Sequence, residues 1–184
     1  MLFRSSISLA IAGIGHFSGR STSKLRVNKR HRISVFVVRH AKAGDREEWK
    51  GDDRQRPLTK SGTRQAEALA ELLEDEPIDK VFSSPFTRCV QTVEPLATAR
   101  KLPVELRMDL EEGSGGESIV RLIQESKGRN VVACTHGDLV EELLEQLIQK
   151  GLLSRSEAKM EKGSTWVLEE TAGKITGARY LAAP

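Results

Sequence analysis

From Ile33 onward, short runs of β-branched and apolar residues alternate with longer stretches whose apolar positions recur at helical spacing, and no internal repeat is apparent. This βα alternation restricts the chain to a mostly parallel sheet crossed by helices on its faces. The first run, ISVFVV from Ile33 to Val38, is β-branched and apolar on both faces, as a central parallel strand must be. The stretch LTKSGTRQAEALAELLEDE follows after a polar loop, with Thr59 as N-cap and Ala66, Leu69, Ala70 and Leu73 on one helical stripe. DKVFSS is a second strand. PFTRCVQTVEPLATARKL is a helix with Pro85 in its first turn and Pro95 set to kink or end it. PVELRM is a third strand and GESIVRLIQESKG a helix closed by Gly128. NVVAC is a fourth strand, ahead of a helix from Asp138 to about Lys150. STWVLEE and KITGARYL finish as a hairpin with Ala172-Gly173 at the turn. The expected fold is α/β, a three-layer α/β/α sandwich with a mostly parallel central sheet.

In such sheets ligands sit beyond the carboxyl ends of the strands. The first strand ends at Arg39-His40, the second at SSP with Arg88 in the following turn, and the fourth at THGD with His136. Two arginines and two histidines therefore converge on one edge. A histidine placed like His40 can be a buried ring, a metal ligand or a nucleophile. Arg88 taken alone reads as a helix-surface charge, and His136 alone as the cap of the helix that begins near Asp138.

The joint arrangement points further. Two guanidinium forks within reach of one point suit a doubly charged tetrahedral oxyanion, so phosphate is the natural ligand. Of two imidazoles beside it, one can attack phosphorus while the other hydrogen-bonds the equatorial oxygens. Hydrolysis then divides into formation and breakdown of a phosphohistidine, with a carboxyl group protonating the leaving oxygen, and no metal or other cofactor is required.

Charge and cysteine usage narrow the partners. The chain of 184 residues has a net charge of +3, but no Asp or Glu precedes Asp45, while residues 1–44 hold nine Lys or Arg. Subtracting these from totals of 29 basic and 26 acidic residues leaves 20 and 26, a net of −6 over the remainder. A basic face for a nucleic-acid polymer is not indicated, and the 4% aromatic share leaves little to stack on bases. Residues 1–31 form a basic leader whose apolar run, Ile7 to Ile14, is shorter than the roughly 20 residues a membrane span takes. It resembles a poor signal peptide or a transit peptide, and is read here as a disordered extension or an upstream misreading of the start. The domain proper is expected over 32–184. Cys89 and Cys134 lack zinc-site spacing and are expected as buried free thiols, in keeping with a cytoplasmic location.

RHAKAG, DDRQRPLTKSGTRQA, VFSSPFTRCVQT, LEEG and CTHGD, in this order, resemble the histidine phosphatase superfamily, whose fold is called phosphoglycerate mutase-like, and within it the SixA-like phosphohistidine phosphatase branch. The stretch from about residue 33 to 181 also resembles the phosphatase half fused to some bacterial Nudix hydrolases, where an ending like KGSTWVL recurs. The resemblance implies that His40 is the phosphorylated nucleophile and that Arg39, Arg88 and His136 form the phosphate pocket. It also implies an acid near DLEEG. Glu112 fits the family's Leu-x-Glu pattern, with Glu111 as the other candidate, and the good leaving group of phosphohistidine makes this acid dispensable in SixA-like members. The usual Arg-His-Gly is Arg-His-Ala here, so Ala41 must accept the backbone turn of that glycine. No long insertion separates Arg88 from Glu112, so a mutase-type lid is not expected, and hydrolysis is favoured over a mutase reaction.

Other residues have quieter readings. Arg56, Pro57, Leu58 and Thr59 are expected to fix the loop and helix start behind the nucleophile. Arg46, Asp53 and Arg54 read as solvated loop charges, with lining of the substrate entrance as the alternative. Trp49 is a candidate for a movable loop residue over the site, and Trp166 for the core. GSGGE is a flexible connection, for it lacks the lysine and serine of a phosphate loop. The expected partner is a phosphorylated small molecule or a phosphohistidine protein, with no membrane and a monomeric or dimeric state. The competing functions are a phosphatase of oxidised nucleotides, without the magnesium-binding Nudix helix, and a weakly active phosphate-binding regulatory module.

Overall fold

The computed structural model describes residues 33–184, residue 127 excepted. The leader, residues 1–31, lies outside the described residues, as does the expected start of the domain at 32. Six strands form one sheet: β1 (Ile33–Arg39), β2 (Lys80–Ser83), β3 (Val104–Leu106), β4 (Val131–Thr135), β5 (Thr165–Thr171) and β6 (Lys174–Leu181). Their order is β3-β2-β4-β1-β5-β6. The first four run parallel, and β5 and β6 are antiparallel additions. The helices are α1 (Lys60–Leu72), α2 (Thr87–Arg100), α3 (Glu117–Ser126) and α4 (Gly137–Gln149).

The strand period of two divides the core into two layers. Val35 and Val37 of β1 with Val131 and Ala133 of β4 face α3 and α4, meeting Ile119, Leu122, Leu139 and Leu143. Phe36 and Val38 with Val132 and Cys134 face α1 and α2, meeting Leu69, Val93 and Leu96. The fold is therefore the expected three-layer sandwich. With both faces covered, β1 and β4 must be continuously apolar, which is why ISVFVV and VVAC read as they do.

Local chemistry sets the element ends. The Thr59 hydroxyl accepts from the Gly62 amide as the N-cap of α1. Gly128, at φ +80, follows α3, and Ala172 and Gly173 take φ of 51 and 77 at the β5-β6 turn, as a two-residue hairpin requires. Pro85 departs from expectation, and Pro95 does not end its helix. The α2 N-cap is Phe86, whose carbonyl receives the Cys89 and Val90 amides, so Pro85 stands before the helix rather than in its first turn. Pro95 lies inside α2, which continues to Arg100 and closes on a left-handed Lys101. Packing of Val93, Leu96 and Ala97 against the sheet holds the helix through the missing amide. Among the described residues no helix is long and apolar enough to cross a membrane.

Candidate active site

The carboxyl ends of β1 and β4 open onto a cavity of about 580 Å³ whose lining includes Arg39, His40, Arg46, Arg56, Glu112, Asp138 and Lys162. His40 directly follows β1 and is 6% exposed. Its amide bonds the Thr135 carbonyl of β4 at 3.0 Å. Its Nδ1 lies 2.8 Å from the Ala41 carbonyl, and because a carbonyl only accepts, Nδ1 carries the proton and Nε2 keeps its lone pair. Burial, the largest cause, and repulsion from His136, Arg88 and Arg39 lower the His40 pKa to about 3 against the raising effect of that bond. The ring is thus neutral near pH 7.

The Ala41 amide donates to Thr92 Oγ1 of α2 at 3.0 Å. Among the described residues the non-glycine positive φ values belong to Lys101 and Ala172, so Ala41 needs no left-handed backbone. The methyl group is fully buried and costs the turn nothing.

His136 is the N-cap residue of α4, yet its side chain makes no capping bond. Its ring stands edge-on to His40 at 5.5 Å and to Phe86 at 4.7 Å. Ser84 Oγ, just past β2, lies 2.9 Å from His136 Nε2, and Arg88 Nη2 lies 3.4 Å from Nδ1. A hydroxyl can donate or accept, so Ser84 supports His136 in either tautomer.

Arg88 is fully buried and packs over the Phe86 ring at 4.5 Å. Nη1 donates to the Asp53 carbonyl at 2.8 Å, while Nη2 faces the carboxylates of Asp53 at 3.1 Å and Glu112 at 3.2 Å. Arg39 donates to the Met160 carbonyl, and Gly137 leaves space for it: a Cβ there would lie 3.0 Å from the guanidinium. The Nε atoms of Arg39 and Arg88 are buried without a hydrogen-bond partner. All four residues expected from the strand ends are brought together.

The two candidate acids separate. Glu112 lines the cavity and bonds Arg88 and Arg46, whereas Glu111 is turned to Arg54. Arg46 and Asp53 are not merely solvated loop charges. Asp53 bridges Arg46, Arg56 and Arg88, and despite burial pressing the other way, those guanidiniums hold its pKa at about 2. The stretch behind the nucleophile is tied as expected: Thr59 N bonds the Lys42 carbonyl, Gly44 N the Pro57 carbonyl, and Arg56 the Gly44 carbonyl. Trp49 is instead fixed to the Asp52 carbonyl, packs on Gly51 and does not line the cavity. Trp166 is core. Cys89 and Cys134 are buried free thiols, and Cys89 lies 3.5 Å from His136 Nε2. In GSGGE the Gly113 and Gly116 amides are held by Asp138 and Glu142 of α4, so the segment is a pinned connection. Sequence reading placed Ser84 at the end of the second strand without giving it a role, and it missed Lys162, for nothing in the spacing shows that this residue reaches the same edge.

Residues 35–121 match the model of the histidine phosphatase superfamily, branch 1. The 8-oxo-(d)GTP phosphatase of Mycolicibacterium smegmatis is 36% identical over 156 residues, covering 82% of this chain and 48% of that protein. The SixA protein of Agrobacterium tumefaciens shares the fold at a TM-score of 0.69 and 24% identity, over 82% of this chain and 98% of that one. The protein histidine phosphatase SixA in complex with tungstate gives 0.66 and 22%, over 82% and 95%. Over residues 35–121, just under half of the chain, the sequence is that of the histidine phosphatase superfamily. The solved neighbours show that the fold is phosphoglycerate mutase-like. The chain spans less than half the length of the curated relatives it matches, at 48% and 20% of two of them.

Proposed function

We propose that the chain is a metal-independent phosphatase that passes a phosphoryl group through His40. The observation that carries this reading is the His40 tautomer: the Ala41 carbonyl occupies Nδ1, leaving Nε2 as the lone pair beside Arg39, Arg88 and His136. Nε2 attacks phosphorus, the guanidiniums and His136 hold the equatorial oxygens, and Glu112 protonates the leaving oxygen where it needs a proton. Water then breaks the N–P bond and phosphate departs. The substrate is a phosphomonoester or a protein phosphohistidine.

A second reading, a phosphatase of oxidised nucleotides, is favoured by the 36% identity to the 8-oxo-(d)GTP phosphatase. The test of the proposal is release of phosphate from p-nitrophenyl phosphate. Wild type should be active with or without EDTA and His40→Ala inactive; full activity in His40→Ala overturns it. Placing protein phosphohistidine, nucleotides and sugar phosphates side by side in the same assay separates the two substrate readings.

A further inference from the structure

The cations around the cavity are not equally engaged. Arg56 is held by Asp53 and the Gly44 carbonyl, Arg46 by Glu112 and Asp53, and Arg88 by the same two carboxylates. The Lys162 ammonium has no hydrogen-bond or ion-pair partner among the described residues, yet it lines the same cavity within the field of Arg39, Arg56 and Arg88. Partial burial, the largest cause, and those three guanidiniums lower its pKa against the attraction of Asp45. The Asp45 carboxylate, which lines the same cavity, attracts the ammonium without pairing with it.

The backbone keeps Lys162 there. Its carbonyl accepts from Gln65 Nε2 at 3.1 Å, and the other end of that amide accepts from the Lys42 amide at 3.0 Å. The neighbouring Gly163, at φ +88, shares its amide between the carbonyls of Arg39 and His40 at 3.1 and 3.2 Å. Lys162 is thus anchored one residue from a bond to the nucleophile's own carbonyl. In the mechanism proposed above Arg39, Arg88 and His136 hold the three equatorial oxygens of one phosphoryl group, and the cavity of about 580 Å³ has room well beyond it.

We propose that Lys162 is a specificity-determining residue that binds a second anionic group on the leaving side of the scissile bond, so that the site favours a phosphoanhydride such as a nucleoside diphosphate over a simple monoester. This rests on the phosphatase reading above and takes the second of its two substrate readings, the nucleotide one. With GDP, His40 Nε2 forms a bond to the β-phosphorus as the bridging P–O bond breaks. GMP leaves with the electron pair on its phosphate oxygen, where Lys162 meets the charge. Water then cleaves the N–P bond, giving inorganic phosphate and one proton.

The test compares GDP with p-nitrophenyl phosphate in wild type, Lys162→Ala and Lys162→Arg. Loss of a charge-assisted contact should lower kcat/KM for GDP about tenfold or more in Lys162→Ala, with p-nitrophenyl phosphate changed by no more than about twofold and Lys162→Arg restoring most of the loss. An equal loss on both substrates, no loss on GDP, or a wild type that cleaves p-nitrophenyl phosphate but not GDP overturns the role of Lys162 and leaves the phosphatase reading standing. A wild type that cleaves neither removes both.

Discussion

The Nδ1 of His40 lies 2.8 Å from the carbonyl oxygen of Ala41, the residue that replaces the glycine usual after this histidine in the family. That bond, made to a backbone that needs no left-handed turn, fixes the tautomer and frees Nε2 for attack. With the His40 pKa at about 3, the acid limb of kcat/KM should show no loss at the ordinary histidine value of 6.5, once the ionisation of the substrate is taken out. A break near 6.5 assigned to His40 would contradict this.

The same shift links pH to stability. The unfolded chain protonates this ring near pH 6.5 and the folded chain only near 3, so between those values the unfolded state binds more protons. The contribution is present above pH 6.5 and is lost as pH falls toward 3. Urea unfolding across this window should show a steeper fall for wild type than for His40→Ala.

Glu112 and Glu111 should behave differently. Glu112→Gln should lower kcat for an alkyl phosphate by about ten- to a thousandfold, since a poor leaving group needs its proton, and should change p-nitrophenyl phosphate far less. Glu111→Gln should leave that ratio unchanged, because Glu111 faces Arg54. Steady-state kinetics on the two substrates reads the difference directly.

Arg88 presents a planar fork between Asp53, Glu112 and His136. Arg88→Lys keeps the charge but loses the paired geometry, and should cost roughly 2–3 kcal/mol of transition-state stabilisation, a fall of about a hundredfold in kcat/KM. Near wild-type kinetics would show that charge alone suffices.

Much of this was legible in the chain. The buried strands, the Thr59 cap and the convergence of Arg39, His40, Arg88 and His136 follow from periodicity and the strand-end rule, because each depends on its own segment. What was not legible depends on where a side chain from one loop meets another. Arg46 and Asp53 look like solvated charges until Glu112 and Arg88 arrive from distant elements. Trp49 looks like a cover for the site until its indole meets the Asp52 carbonyl. Pro95 signals a break that the packing of α2 overrides.

Gly62 shows a constraint of the same long-range kind. A Cβ at this position of α1 would lie 1.9 Å from the Lys42 carbonyl, just past the nucleophile loop. Gly62→Ala should destabilise the fold by about 2–4 kcal/mol, measured by urea unfolding, and raise KM by displacing that loop.

The central claim is a covalent bond to His40, and rapid quench with a ³²P-labelled substrate tests it most directly. The account predicts an acid-labile, base-stable phosphoenzyme formed within a single turnover, mapped to His40 and absent from His40→Ala. Turnover with no label on the protein, or label on a residue other than His40, would contradict it.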